Sequence, residues 1–298
     1  MIFFSEQSQR VPLPESQKDT DKISDIARMH GCRVLEFPAN YEEQNLTFGD
    51  ILSYVPHFDE PEVAYYNGFI PSSDRYVEVF EAAKQKNIHL LNSPAESLCA
   101  LTFEQWYPLL GELTPKSAVI EDAAEVRAAI CKIGLPVFIK GSVKSLKHKG
   151  LASCVASDVE AAERIATELF DSEFRSRGKV ILRRWEVLRH VRTSDLGMPL
   201  GREYRVFTYN GNILESGYYW DGTDALASLN EAEEAEVRQL ALVASKRLGA
   251  PYAILDIGQR EADNEWIVVE AGDGQFAGLS RVDPIPLLAK LIRLASAK

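Results

Sequence analysis

The motifs that usually mark a catalytic centre are missing from this sequence. It has no Gly-x-Ser-x-Gly elbow, no His-Glu-x-x-His helix and no Gly-x-Gly-x-x-Gly turn, and its five histidines are scattered. Serine hydrolase, zinc protease and dinucleotide-dependent chemistries fall accordingly. Cysteine is sparse: Cys32, Cys99, Cys131 and Cys154 lie far apart with no Cys-x-x-Cys pair, so reduced and mostly buried thiols are expected. The opening Met-Ile-Phe-Phe-Ser-Glu-Gln-Ser lacks a basic n-region, and no apolar run approaches the ~18 residues that a membrane span needs. A cytoplasmic protein is expected. Positive charge is also in deficit, with 33 Lys and Arg against 44 Asp and Glu and a net charge of −11. That balance disfavours a broad nucleic-acid or anionic-membrane surface, so neither is expected as a partner.

At 298 residues, 46% hydrophobic and 26% charged, the chain has the composition of a globular protein with two domains or one segmented body. One stretch contradicts the acidic background. From Gly134 to Gly150, the apolar Val137 to Ile139 lead to Lys140, and glycines at 141 and 150 bound a loop with Lys144, Lys147, His148 and Lys149. Like charges this close repel, so either a small anion sits among them or the turn is a solvated basic loop.

Up to about residue 115, short apolar runs alternate with helical patterns: Arg33 to Phe37, Val63 to Asn67, a helix over Arg75 to Gln85, and Ile88 to Leu91. This predicts a small α/β unit with parallel strands. At Gly68-Phe69-Ile70-Pro71-Ser72-Ser73 a strand passes into a capped helix, a junction whose backbone N–H groups can hold an anion, although most such caps hold nothing. Asn92-Ser93-Pro94 repeats that punctuation, and Phe103 to Leu110 reads as an aromatic core helix. Thr114-Pro115-Lys116-Ser117 is not a phosphate loop, because Pro115 stands where glycine is required, and it reads as a linker. Beyond it the pattern predicts a helix over Ala123 to Lys132, the lysine strand, a strand over Leu151 to Ala156, a helix over Val159 to Phe170 and a strand over Val180 to Leu188.

Two hairpins follow. Tyr204 to Tyr209 and Ile213 to Trp220 flank Asn210-Gly211, suited to a type I′ turn because both positions need positive φ. Alternation then places Glu203 and Arg205 on one face and Tyr204 and Val206 on the other. Glu231 to Leu248 is a helix ended by Gly249. In the second hairpin, Ala253 to Gly258 and Trp266 to Ala271, a turn centred on Asp263 sets Asp256 opposite Glu270. Opposed carboxylates destabilise a strand pair unless a cation or proton lies between them, and all-oxygen ligation suits Mg²⁺. Asp273 is a candidate third carboxylate. Arg205 is either a salt-bridge partner of Glu203 or Glu215, or a planar fork for a phosphate or carboxylate; Arg183 and Arg184 pose the same choice.

This set of residues resembles the ATP-grasp superfamily in its order: an α/β segment, Phe138-Ile139-Lys140 before a glycine-bounded loop, a hinge-like strand from Ile181 to Val187, Glu203-Tyr204-Arg205-Val206-Phe207, then an aspartate and Val268-Val269-Glu270 on paired strands. It is most similar to the small clade marked by two lysines and an arginine, here Lys140, Lys144 and Arg205. The resemblance implies an N-terminal Rossmann-like pre-ATP-grasp segment (residues 1–115), then a two-lobed ATP-grasp fold (116–188 and 189–298). It implies a ligase that uses ATP and Mg²⁺ to activate a carboxylate as an acyl-phosphate and join it to an amine or thiol. A kinase, a nucleotidyl-transferring enzyme or a non-catalytic nucleotide-binding module on the same frame are the alternatives. Lys140 and Lys144 would contact phosphates, with Arg183, Trp185 and Glu186 at the nucleotide. Arg205 and Lys144 would serve the transferring group, and Asp256, Glu270 and Asp273 the metal. The substrate would be small and carboxylate- or phosphate-bearing, with monomer or homodimer both open. Where many members carry an asparagine beside the metal, this chain has Gly272.

Overall fold

Three four-stranded sheets, each made of consecutive strands, carry the computed structural model, which describes residues 1–8, 15–142 and 145–297. The first unit runs β1 (Ile2–Gln7), α1 (Glu15–Met29), β2 (Arg33–Pro38), α2 (Phe48–Ile51), β3 (Glu62–Asn67), α3 (Ser73–Lys84) and β4 (Ile88–Leu90). Its strands are all parallel, in the order β2-β1-β3-β4. β1 is buried over Ile2 to Glu6, the nearly continuous burial that a parallel strand covered on both faces shows. The junction after β3 is used by the chain itself. Phe69 N donates to Glu6 at 2.7 Å, Arg75 reaches the same carboxylate at 3.0 Å, and a Cβ on Gly68 would stand 2.3 Å from Glu6 Oε2. The strand-to-helix turn therefore holds an internal carboxylate.

Next come α4 (Pro94–Leu101) and α5 (Phe103–Leu110), then β5 (Ser117–Ile120), α6 (Val126–Ile133), β6 (Val137–Gly141), β7 (Val155–Ala156), α7 (Val159–Phe170), α8 (Glu173–Ser176) and β8 (Val180–Arg184). The second sheet is antiparallel, in the order β5-β8-β6-β7. Two expectations need correction. Leu151–Ser153 is a 3₁₀ turn, leaving only Val155–Ala156 as strand, and β8 stops at Arg184, because Trp185 N turns to the carbonyl of Pro136 at 3.0 Å.

The third sheet, in the order β10-β9-β11-β12, is antiparallel and comprises β9 (Glu203–Tyr209), β10 (Asn212–Tyr218), β11 (Tyr252–Gln259) and β12 (Trp266–Asp273), with α9 (Glu231–Leu248) before β11 and α10 (Pro284–Ser296) closing the chain. Asn210 and Gly211 have φ of 46° and 74°, the positive pair that a two-residue hairpin needs. The hydrophobic cores cross between sheets. Phe103, Trp106 and Leu110 of α5 pack with Val206, Leu255 and Val268, while Leu287, Leu288 and Leu291 of α10 pack with Phe3 and Tyr65 of the first sheet. No helix among the described residues is long and apolar enough to cross a membrane.

Candidate functional site

A cavity of about 450 Å³ lies between the second and third sheets. Strand alternation supplies its walls. On β6, Val137 and Ile139 enter the core under α6 and α7, so Phe138 and Lys140 face the cavity. On β9, Tyr204 and Val206 are core, and Glu203 turns to the cavity.

β12 departs from simple alternation. From the turn outward, Gln259 pairs with Trp266, Gly258 with Ile267 and Ile257 with Val268, but Asp256 pairs with Glu270. Val269 is an extra residue, and this bulge turns both Val269 and Glu270 into the cavity while Val268 and Ala271 stay in the core. The carboxylates are thus opposite one another, as the sequence leads one to expect, through a shift of register that the sequence does not announce.

Each carboxylate meets a cation. Lys140 Nζ lies 2.7 Å from Glu270 Oε1, an ion pair that joins β6 to β12 across the cavity. Burial pushes the Glu270 carboxyl up, but Lys140 and Lys147 outweigh it and hold it at about 2. Asp256 is 1% exposed, and both its oxygens sit in the fork of Arg205, Nε to Oδ1 at 2.9 Å and Nη2 to Oδ2 at 2.8 Å. Arg205 Nη1 donates to the carbonyl of Gly278 at 2.6 Å, and the guanidinium stacks 4.8 Å from the ring of Tyr219, which lines the cavity. The partner of Arg205 is therefore Asp256, not Glu203 or Glu215; Glu215 pairs with Lys290 at 3.0 Å. Glu203 is buried on the wall, where desolvation first and the Asp256 charge second push its carboxyl up to about 8.

The lysine loop divides. Lys147 lines the cavity with Nζ 5.5 Å from the Phe138 ring, and that ring stacks on Trp185 at 5.9 Å and 22°. Lys149 turns outward to Glu168. Lys144 lies outside the described residues. At the hinge, Trp185 and Glu186 line the cavity, and Arg184 pairs with Glu186 at 3.4 Å. Arg183 also borders it, but its guanidinium is engaged by the carbonyls of Val268 and Val269 and the hydroxyl of Thr114.

Asp273 does not join the other carboxylates. It caps the Gly274–Phe276 turn, accepting from Gln275 N at 2.9 Å, and Gln275 in turn donates to Tyr76 of the first unit at 2.8 Å. Past the bulge, alternation sends residues 271 and 273 to the face opposite Glu270. Gly272 brings no donor, and a Cβ there would meet Ile254 at 3.2 Å. Among the described residues no three His, Cys, Asp or Glu side chains converge as a metal cage. The donor set that remains, Glu270 open to the cavity and Asp256 with two of about four lone-pair sites outside the Arg205 fork, fits a Mg²⁺ that keeps waters and takes phosphate oxygens. Sequence reasoning did not single out Lys147 or Glu203. The strand alternation that put Glu203 beside Arg205 was the available signal for one; nothing local distinguishes Lys147 from Lys149.

Residues 131–291, more than half of the chain, match a family model described as an ATP-grasp domain, the third family of its clade. No curated protein matches the chain in sequence. Among solved structures, D-alanine–D-alanine ligase from Bacillus anthracis, complexed with ATP, aligns with a TM-score of 0.67 at 13% identity, over 99% of this chain and 96% of that one. The D-cycloserine synthetase DcsG aligns with a TM-score of 0.63 at 15% identity, over 99% of this chain and all of that one. A RimK domain ATP-grasp protein from Sphaerobacter thermophilus gives 0.60 at 13%, over 98% and 100%. At these identities the likeness is one of fold.

Proposed function

The chain belongs to the ATP-grasp family, and from that premise we propose that it is an ATP- and Mg²⁺-dependent ligase, which activates a carboxylate as an acyl-phosphate and joins it to an amine or a thiol. The observation that carries this reading is the meeting of Lys140, Lys147 and Glu270 at a cavity walled elsewhere by Phe138 and Trp185, with the Arg205–Asp256 pair on the adjoining strands. Cations, a carboxylate pair and an aromatic wall are together what a purine nucleoside triphosphate requires.

On this reading residues 116–188 form the smaller lobe, 189–298 the metal-bearing lobe and 1–115 the substrate-side unit. The base lies against Phe138 and Trp185 at the hinge. Lys140 and Lys147 neutralise phosphate oxygens. Glu203, buried and largely protonated near neutral pH, suits neutral hydroxyl groups such as those of the ribose and would be repelled as a carboxylate by phosphates. Glu270 and Asp256 hold Mg²⁺, which supplies electrostatic stabilisation of the transferring phosphoryl group. Nη1 of Arg205 is the one arm outside the Asp256 fork, and it steadies the phosphoryl oxygens as the substrate carboxylate attacks. Positioning and charge do the work, which is why a protein nucleophile is not needed.

The test is to incubate the protein with Mg-ATP and pools of carboxylates and amines while following ADP, AMP and phosphate. ADP and phosphate release that requires both a carboxylate and an amine or thiol is expected. AMP as product would overturn the ligase reading in favour of nucleotidyl transfer, and phosphorylated product without ligation in favour of a kinase. Tight ATP binding without turnover would point to a binding module, the reading that Gly272 favours.

A further inference from the structure

We infer that Arg183 is a positioning residue, whose guanidinium, together with the Thr114 hydroxyl, holds the bulge at Val269 that turns Glu270 into the cavity. The register that leaves the β11–β12 turn would, if continued, pair Asp256 with Val269 and send Glu270 to the face of Val268. That face is apolar core, packed with Tyr204, Val206 and Leu255. A bulge also interrupts the ladder, and the backbone groups it releases need partners when they are buried.

Arg183 meets that need from the other sheet. Its Nη1 donates to the carbonyl of Val269, and its Nη2 to the carbonyl of Val268 at 2.9 Å and to Thr114 Oγ1; Thr114 Oγ1 donates to the same Val268 carbonyl at 2.9 Å. Successive carbonyls of a regular strand point to opposite sides, so one guanidinium can reach both only where the strand is irregular. Arg183 is 8% exposed and forms no ion pair among the described residues. A buried cation held only by neutral acceptors is costly, and what its place secures is the segment immediately before Glu270. The same contacts tie β8 of the second sheet to β12 of the third, so the two walls of the cavity are referenced to one side chain.

Arg183→Met keeps most of the volume and removes every donor, Arg183→Lys restores one donor, and Thr114→Val removes the hydroxyl while keeping the arginine. In a crystal structure of Arg183→Met, Asp256 is expected opposite Val269, with Glu270 withdrawn from the cavity; Glu270 still opposite Asp256 overturns the inference. In solution, Mn²⁺ binding to the full chain with ADP, followed by electron paramagnetic resonance, is expected to weaken about 10- to 100-fold in Arg183→Met, to recover in part in Arg183→Lys, and to weaken less in Thr114→Val, with metal-free ADP affinity unchanged. Wild-type Mn²⁺ affinity in Arg183→Met, or in Thr114→Val should the first variant not fold, also overturns it. The metal readout rests on Glu270 holding the metal, as proposed above. If Glu270→Gln binds Mn²⁺ as the wild type does, that assignment fails, and the register in the crystal alone decides the role of Arg183.

Discussion

Two ion pairs stand side by side in this site and differ in almost everything but distance. Lys140–Glu270 spans two sheets, uses one ammonium contact at 2.7 Å, and leaves the Glu270 side chain 41% exposed to the cavity. Arg205–Asp256 lies within one sheet, uses both oxygens, and leaves Asp256 1% exposed. A single contact between lobes can open when phosphates arrive and offer Lys140 another anion. A buried fork cannot open cheaply, because each partner would be left charged and desolvated. The two carboxylates face one another in register, yet one is poised to exchange partners and the other fixes the direction of an arginine.

That contrast can be broken at several points. The largest effect is expected from Asp256→Asn, which strands Arg205 in the interior and should cost about 3–5 kcal/mol in urea unfolding. A loss below about 1 kcal/mol would make the fork a surface-like pair. Arg205→Lys cannot span both oxygens, and a loss of about 2 kcal/mol is expected with kcat down about 100-fold in the ligation assay.

The pH dependence separates the carboxyls next. Glu203 is raised in the folded state from 4.5 to about 8, so the folded chain binds more protons than the unfolded chain between those values, and stability falls as pH rises through that window. Glu270 is lowered to about 2, so its contribution is present above pH 4.5 and is lost only as pH falls toward 2. Urea midpoints at pH 5 and pH 8 should therefore differ in the wild type and converge in Glu203→Gln.

Lys140→Ala removes an open pair. Stability is expected to change by less than about 1 kcal/mol, while ATP affinity in calorimetry falls about 10-fold; unchanged ATP affinity would remove this lysine from the phosphate site. The smallest effect, below about 0.5 kcal/mol, is expected from Lys149→Ala, whose pair with Glu168 is solvated on the outer face.

Much of the frame was legible in the sequence. The helices over Val159–Phe170 and Glu231–Leu248 and the Asn210-Gly211 turn follow from apolar spacing, caps and positive φ, all of which are local. β1 and α1 were not legible. β1 begins the chain without a flanking turn signal, and α1 buries little more than Ile23, Ile26 and Ala27 on a polar helix. The strand expected over Leu151 to Ala156 shrank to two residues because Leu151–Ser153 closes the lysine loop as a 3₁₀ turn.

In the site, Lys140, Arg205, Asp256 and Glu270 could be named from alternation and spacing, but their partners could not. Sequence neighbours suggested Glu203 or Glu215 for Arg205, whereas strand order places β11 beside β9 and delivers Asp256. Asp273 looked like a third ligand until the bulge reversed its face. Lys147 and Lys149 are equivalent in sequence, and one turn of 3₁₀ helix sends one inward and the other to Glu168.

What the residues decided alone is where strands and helices form, which face of β6 and β9 carries charge, and that cations and carboxylates are present in the right order. Periodicity and turn chemistry act over a few residues, so they can be read without the fold. The tertiary structure decided that Arg183 serves a bulge rather than a ligand, that Arg205 is held by Asp256, and that Glu270 faces Lys140 across two sheets. Those outcomes depend on strand order and on one extra residue in a register, and contacts between residues so far apart in the chain leave no local trace.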